Sequence, residues 1–144
     1  MAVLHNRTPV QIICVVSPMF MENAFVISIE GDSECLIVDP SFDSDSLIIQ
    51  VKASNLTPTA ILNTHGHSDH IAGNGAMKDA YPSAELCIGE NDAFKLTDPV
   101  ANLSAQYGIN LVSPPADRTL KHGELISLAG IEWEVRLTPG HSIG

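Results

Sequence analysis

The sequence predicts an α/β domain, in which strands and helices alternate around a sheet. Three observations support this fold class. Short β-branched runs closed by proline or glycine indicate strands, and a stretch with apolar residues at helical spacing indicates a helix between two of them. The strand after that helix then runs straight into a cluster of histidines. These features form a β-α-β unit with polar residues at the C-terminal end of its second strand, where open α/β proteins place their sites.

The individual elements follow from periodicity and from the residues that close each run. In chain order we predict strands at 10–16, 23–30 and 34–39, a helix at about 44–54, a strand at 59–63, a helix at about 74–80, a strand at 85–88, short helices at 90–96 and 101–107, an irregular segment at 111–121, and a hairpin of 125–128 with 131–137. In the last strand Ile131, Trp133, Val135 and Leu137 alternate with charged residues, which predicts one buried and one wet face.

Length and charge restrict the functions open to the chain. Its 144 residues are enough for one core, so we predict a single domain over 1–144. The formal net charge is −10, from 17 acidic and 7 basic residues, which argues against nucleic acid or an anionic membrane surface as partner. The apolar run 10–16 is too short to cross a bilayer, and we expect neither a signal peptide nor a membrane span.

The three cysteines are interpreted as reduced and structural. Cys14, Cys35 and Cys87 are odd in number, lack any CxxC spacing, and each lies in an apolar run of strand character. Free cysteines in such runs behave as small buried hydrophobic residues. We therefore expect all three to be buried and the chain to be cytoplasmic.

The chemistry of the chain is concentrated between residues 64 and 70. His65 and His67 stand two residues apart, so in an extended segment they point to the same side and can meet one metal ion. Asp69 and His70 follow in the next turn and are placed to meet a second ion. Neutral imidazole and carboxylate are ligands for zinc, iron and manganese, so the segment predicts a metal site.

Four further residues near or outside this segment need an interpretation. His141 follows Thr-Pro-Gly after the last predicted strand and is a candidate ligand. Asp39 ends a strand close to the predicted site, but an aspartate before proline is also ordinary turn chemistry, so we do not count it as a ligand. His5 and His122 match no pattern, and we expect both on the surface.

Four segments resemble motifs of the metallo-β-lactamase superfamily. THGHSDHIAG at 64–73 matches its THxHxDHxxG signature, and Thr138 to His141 resembles the loop that carries its third histidine. Segments 38–40 and 22–25 are similar to the family's strand-ending aspartate and to the start of its second strand. Within the family, 117–120, Gly123 and 138–142 are similar to the glyoxalase II-like thioester hydrolases.

The resemblance implies a fold and a ligand set. The fold is an αββα sandwich of two mixed sheets with helices on both outer faces, of which this chain would carry the N-terminal part only. His65, His67 and His141 would hold the first of two divalent metal ions, and Asp69 and His70 would help to hold the second. Zinc is the first choice for both ions, with iron or manganese as alternatives.

The resemblance also implies an activity. A metal-bound hydroxide would attack a small-molecule acyl or thioester substrate, with hydroxyacylglutathione thioesters as the best guess. Asp69 would act as the catalytic residue that orients the hydroxide. The alternatives are an iron-dependent oxidoreductase similar to persulfide dioxygenases, and a metal-binding fragment without activity.

Two departures from the family pattern affect these expectations. Ile143 stands where relatives often have proline, which changes the shape of the loop rather than its ligands. The family's bridging aspartate and last histidine come after the third histidine, whereas this chain stops at Gly144. We therefore expect a C-terminally truncated product with an exposed apolar sheet face. The alternative is a complete short protein that dimerises; the oligomeric state stays open.

Overall fold

A computed structural model describes residues 9–144 of the chain, so His5 lies outside the described residues. The predicted alternation of strands and helices is confirmed. The elements are β1 (Val10–Val16), β2 (Asn23–Ile29), β3 (Glu34–Val38), α1 (Ser44–Ala53), β4 (Thr57–Asn63), α2 (Ser68–Ile71), α3 (Asn74–Ala80), β5 (Glu85–Gly89), the 3-10 helices Ala93–Thr97 and Ser104–Tyr107, β6 (Arg118–Leu120), β7 (Leu125–Leu128) and β8 (Ile131–Glu134).

Six of the strands form one mixed sheet in the order β1-β2-β3-β4-β5-β6. The first three strands pair antiparallel, whereas β3, β4, β5 and β6 run parallel to one another. Because parallel strands end at a common edge, the residues after these four strands are brought together. Asp39, Thr64 and Asp92 all lie just beyond this edge.

Apolar clusters cover both faces of the sheet. On one face α1 and α3 pack against β2 to β5, with Leu47, Val51 and Met77 fully buried. On the other face the two-stranded sheet β7–β8 covers Leu36, Ala60 and Cys87. The result is a helix layer, a sheet and a second sheet, which agrees with the predicted part of an αββα sandwich.

Four local predictions are corrected by the structure. The segment 111–121 was expected to be irregular, but Arg118 to Leu120 pair with β5 as a sixth strand; two prolines before it hide a three-residue strand from pattern reasoning. Asp69 and His70 lie in the short helix α2 rather than in a turn. The helices predicted at 90–96 and 101–107 are single 3-10 segments, and β8 ends at Glu134, which leaves Leu137 37% exposed.

The cysteine prediction is right for two residues and wrong for the third. All three thiols are free, and Cys35 and Cys87 are buried in the sheet. Cys14 is exposed because it lies in the edge strand β1 and alternates with Ile13 and Val15, which pack against the core cluster on the opposite face. Val10, Ile12 and Val16 in the same strand are also exposed. Within residues 9–144, no helix has both the length and the apolar composition needed to cross a membrane.

Candidate metal centre

Three histidines from two distant loops meet at the carboxyl edge of the sheet. His65 and His67 follow β4, and His141 comes from the loop after β8. One ligand nitrogen from each ring lies within 4.8 Å of the corresponding nitrogen of the other two. The rings meet edge to face, with centroids 4.7–5.0 Å apart. Zinc–imidazole bonds of 2.0–2.1 Å require ligand nitrogens roughly 3.3 Å apart, so small side-chain movements would complete a site.

The hydrogen bonds around Thr64 determine the tautomer of His65. The Thr64 hydroxyl donates to Asp39 Oδ2 over 2.6 Å, which uses its only proton. Its contact of 3.1 Å with His65 Nδ1 must therefore be donated by the imidazole. Nε2 of His65 is then the acceptor nitrogen, and it is buried without a hydrogen-bond partner among the described residues. A buried lone pair without a donor is what a metal ion would satisfy.

His65 and His67 are held in the neutral form that binds metals. Burial lowers the pKa of His65 to about 4, with a further lowering from His70 and His67. Burial also lowers the pKa of His67, assisted by the positive charge of Lys95 and by His141. Both rings are therefore unprotonated at neutral pH, and little free energy is needed to remove protons before a metal binds.

His70 differs from these three histidines because it is surrounded by carboxylates. Its Nδ1 donates to Asp39 Oδ2 over 2.9 Å, and Glu22 Oε1 lies 3.6 Å away. Burial alone would lower the pKa of His70, but the hydrogen bond to Asp39 and the charges of Asp39, Asp69 and Glu22 raise it above its usual value. With Nδ1 occupied, Nε2 is the nitrogen left for a metal.

Asp69 lies next to this free nitrogen. Its Oδ2 is 3.5 Å from Nε2 of His70, and the ring of His70 is centred 4.1 Å from that of His65. The five residues predicted from the sequence are thus gathered at one place, as a three-histidine group with a His-Asp pair beside it. Their roles as ligands of two ions, and of Asp69 as the catalytic residue, stay predictions.

Glu22, Asp39 and His70 also approach one another closely enough to suggest a separate cation site. We interpret Glu22 and Asp39 instead as a support for His70, because Asp39 Oδ2 already accepts hydrogen bonds from Nδ1 of His70 and from the Thr64 hydroxyl. Asp39 was placed near the site from the sequence, whereas Glu22 was not singled out. Burial raises the pKa of Glu22 to about 7, and its Oε2 makes no hydrogen bond within the described chain.

Sequence reasoning also missed Asp92, Lys95 and Ser142. Asp92 follows β5 at the edge where the histidines collect, so its position next to a parallel strand was an available signal. Lys95 and Ser142 carry no such signal. The exposed His122 was expected to be a surface residue and is one, with Nδ1 accepting the amide of Leu137 over 3.1 Å.

Two open volumes adjoin the edge of the sheet. A cleft of about 460 Å³ beside His70 is lined by Phe20, Glu22, Asn23, Phe25, Asp39, Thr64, Asp69 and His70. A cavity of about 320 Å³ lies between β4, β5 and the β7–β8 hairpin, and none of the four clustered histidines lines it. Of the predicted site residues, Asp69 and His70 line the first cleft, which therefore opens onto the His-Asp pair.

Comparisons with known proteins agree with the predicted family. The chain matches the Metallo-beta-lactamase superfamily profile over residues 18–144. It is 32% identical over 130 residues to the probable metallo-hydrolase YqgX of Bacillus subtilis, covering 90% of this chain and 60% of that one. It is 29% identical over 126 residues to a hydroxyacylglutathione hydrolase of Acaryochloris marina, covering 87% of this chain and 42% of the relative.

Solved structures share the same architecture. The B3 metallo-beta-lactamase BLEG-1 superposes with a TM-score of 0.85 at 33% identity, covering 94% of this chain and 64% of that chain. TTHA1623 in a di-iron-bound form superposes with a TM-score of 0.73 at 28% identity, covering 92% and 63%. The chain thus spans less than two thirds of the length of each of these proteins.

Proposed function

Because the chain belongs to the metallo-beta-lactamase superfamily, we propose that it serves as a metal-dependent hydrolase acting on hydroxyacylglutathione-type thioesters. The observation that carries the proposal is the buried Nε2 of His65, which has no hydrogen-bond partner in the described chain and faces the rings of His67 and His141. A histidine kept for packing alone would not leave this nitrogen buried and unsatisfied.

The residues present fit two divalent ions. His65, His67 and His141 supply three imidazole nitrogens for one, and Nε2 of His70 with the carboxylate of Asp69 contributes to a second. When bound, such ions supply Lewis acidity, which lowers the pKa of water and polarises an acyl carbonyl. We propose zinc as the first choice, with iron or manganese as the alternatives that this donor set also accepts; the di-iron-bound form of TTHA1623 supports iron.

The chain's own side chains supply the remaining functions. The Asp69 carboxylate is 31% exposed at the cleft and can accept a hydrogen bond from the attacking water, which directs the oxygen lone pair towards the carbonyl carbon. Asp39 holds Nδ1 of His70, so that Nε2 stays turned to the cleft. Thr64 does the same for His65, so both rings are oriented before substrate arrives.

The relatives support the thioester as substrate class. One relative is named a hydroxyacylglutathione hydrolase and another a probable metallo-hydrolase. The cleft beside Asp69 has apolar walls at Phe20 and Phe25, which suits the uncharged acyl end of such a thioester. We propose that the binding partner is this small-molecule substrate, and neither a nucleic acid nor a membrane.

The test uses the purified chain, stripped of metal and reloaded with Zn²⁺. We expect release of the glutathione thiol from a hydroxyacylglutathione thioester, loss of the activity with a chelator, and loss in Asp69→Asn. His122→Asn is the control, since this exposed histidine lies outside the cluster and should behave like the unaltered chain. Metal-dependent oxygen uptake with iron and no thioester cleavage would overturn the hydrolase proposal in favour of a dioxygenase-like oxidoreductase.

A further inference from the structure

We propose that Asp92 and Lys95 are positioning residues that hold the two metal-ligand loops against each other. The first loop carries His65 and His67, and the second carries His141. Neither Asp92 nor Lys95 belongs to the ligand set. The inference rests on the proposed function, because the loops need alignment only if their histidines share an ion.

The first loop contacts the pair through the residue between its two ligands. The amide of Gly66 donates to Asp92 Oδ2 over 2.8 Å in a buried hydrogen bond. A Cβ atom at Gly66 would lie 2.6 Å from Cβ of Lys95 and 3.0 Å from the carbonyl oxygen of Asp92. The backbone of the ligand loop therefore lies directly on the pair, and only glycine allows this approach.

The second loop reaches the same carboxylate oxygen. The hydroxyl of Ser142, the residue after His141, donates to Asp92 Oδ2 over 2.5 Å, and the Lys95 ammonium donates to the same hydroxyl. Two residues further, a Cβ atom at Gly144 would lie 2.9 Å from Cβ of Asp92. One oxygen thus binds the neighbour of His65 and His67 and the neighbour of His141.

Burial makes this arrangement rigid. Asp92 is fully buried and Lys95 is 7% exposed, with Nζ 3.0 Å from Oδ1 of Asp92. Since desolvation offsets much of the attraction in a buried ion pair, the pair adds little stability for its own sake. The role of the pair is to fix the direction of Oδ2, because an alignment error of about 1 Å is enough to weaken a metal site.

Ser142→Ala tests the inference with little disturbance of the fold, because it removes one buried hydroxyl and leaves the Asp92–Lys95 pair intact. We expect the Zn²⁺ affinity, measured by competition with a chromophoric chelator, to fall by roughly 10–100-fold. The visible absorption bands of the Co²⁺-loaded protein should change in position and intensity. Ser142→Thr keeps the hydroxyl and should restore most of the affinity.

Ser104→Ala is the matched control. Ser104 is a buried serine whose hydroxyl donates to the carbonyl of Pro99 and accepts the amide of Leu111, so this hydroxyl bonds neither ligand loop. This variant should keep the unaltered affinity and spectrum even if its melting temperature falls. Unaltered affinity and spectrum in Ser142→Ala would overturn the positioning role alone. Failure of the unaltered chain to bind Zn²⁺ or Co²⁺ would instead overturn the proposed function itself.

Discussion

Nδ1 of His67 lies 3.1 Å from Nε2 of His141, although 74 positions separate the two residues in the chain. At this distance the two facing ring nitrogens share one proton, in a single hydrogen bond between a donor and an acceptor. A divalent ion between the rings would use both lone pairs together with that of His65. The contact therefore marks where an ion is expected.

His141→Ala should lower the Zn²⁺ affinity by ~100-fold or more, because losing a ligand costs more than the 10–100-fold typical of its hydrogen-bonding partners. Equilibrium dialysis with metal analysis measures the change. Binding in the unaltered chain should be biphasic, with the three-histidine group filled before the Asp69–His70 pair. His122→Ala provides the control, and an affinity unchanged in His141→Ala would exclude this histidine as a ligand.

Asp39→Asn should lower both the Zn²⁺ affinity of the site and the free energy of unfolding. Asp39 accepts the amide of Thr64 through Oδ1, and the Thr64 hydroxyl and Nδ1 of His70 through Oδ2. An asparagine fits its backbone φ of 50°, but its amide nitrogen would face two donors. We expect a loss of about 2–3 kcal/mol in the free energy of unfolding.

Urea denaturation of the metal-free protein measures that loss, and dialysis should show a parallel fall of roughly 10–100-fold in Zn²⁺ affinity. Asp45→Asn, at an exposed position in the first turn of α1, is the control and should change stability by no more than about 0.5 kcal/mol. Stability equal to the unaltered chain would mean that Asp39 holds neither Thr64 nor His70 in solution.

Glu22 gives the fold a pH dependence that can be tested. Burial raises the pKa of this carboxyl from 4.5 to about 7, so the folded state binds a proton that the unfolded state has released. The stability from this group is complete below about pH 4.5 and is lost as the pH rises through 7. Glu22→Gln should therefore stabilise the metal-free protein at pH 8, by up to about 3 kcal/mol.

The advantage of Glu22→Gln should disappear near pH 5, where the carboxyl is already neutral in the folded protein. Thermal melts in the presence of chelator, recorded at both pH values, measure it. Glu30→Gln changes an exposed carboxyl at the end of β2 and should show no such difference. A destabilised Glu22→Gln at pH 8 would mean that the ionised carboxylate is favoured in its pocket.

Substitution by alanine at two glycines at the start of α3 should change the free energy of unfolding in opposite directions. A Cβ atom at Gly73 would lie 2.7 Å from the carbonyl oxygen of Ser41 and closer still to that of Pro40, so Gly73→Ala should cost about 1–3 kcal/mol. At Gly75 the nearest atom would be Cδ of Pro114 at 3.9 Å. Gly75→Ala should stabilise by about 0.5–1 kcal/mol, because glycine is unfavourable within a helix.

Chemical denaturation of both variants under one set of conditions gives this comparison. Each serves as the control for the other, since the two positions are two residues apart and differ mainly in the space around Cβ. Equal effects of the same sign would contradict the close backbone contact between Gly73 and Pro40.

Local patterns were enough to predict most strands, because a β-branched run and the residue that closes it are contained within a few positions of the sequence. They also predicted that His65, His67, Asp69 and His70 share a site, since all four lie within six residues. His141 was predicted as a further ligand from its place after a strand and from the family resemblance, and the fold places it beside the other four residues. The residues that the sequence did not reveal depend instead on contacts between distant segments and on burial.

Lys95 and Ser142 act through contacts between segments far apart in the chain, and neither residue type is unusual at its position. Glu22 was missed for the same reason, because its effect comes from burial beside Asp39 and His70. The strand Arg118–Leu120 was missed because three residues are too few to show a period and only pairing with β5 defines it. Long-range packing and burial therefore account for the errors.

The separation between His67 and His141 has a consequence for the folding of the chain. An ion that holds both residues would connect the two ends of the segment that contains α2, α3, β5, β6 and the β7–β8 hairpin. Because such an ion binds the folded site and not the denatured chain, its stabilisation grows with the free ion concentration and reaches about 2.7 kcal/mol at one hundred times the dissociation constant. The metal would then stabilise the fold as well as take part in the chemistry of the site, and ions added during refolding would favour the folded chain.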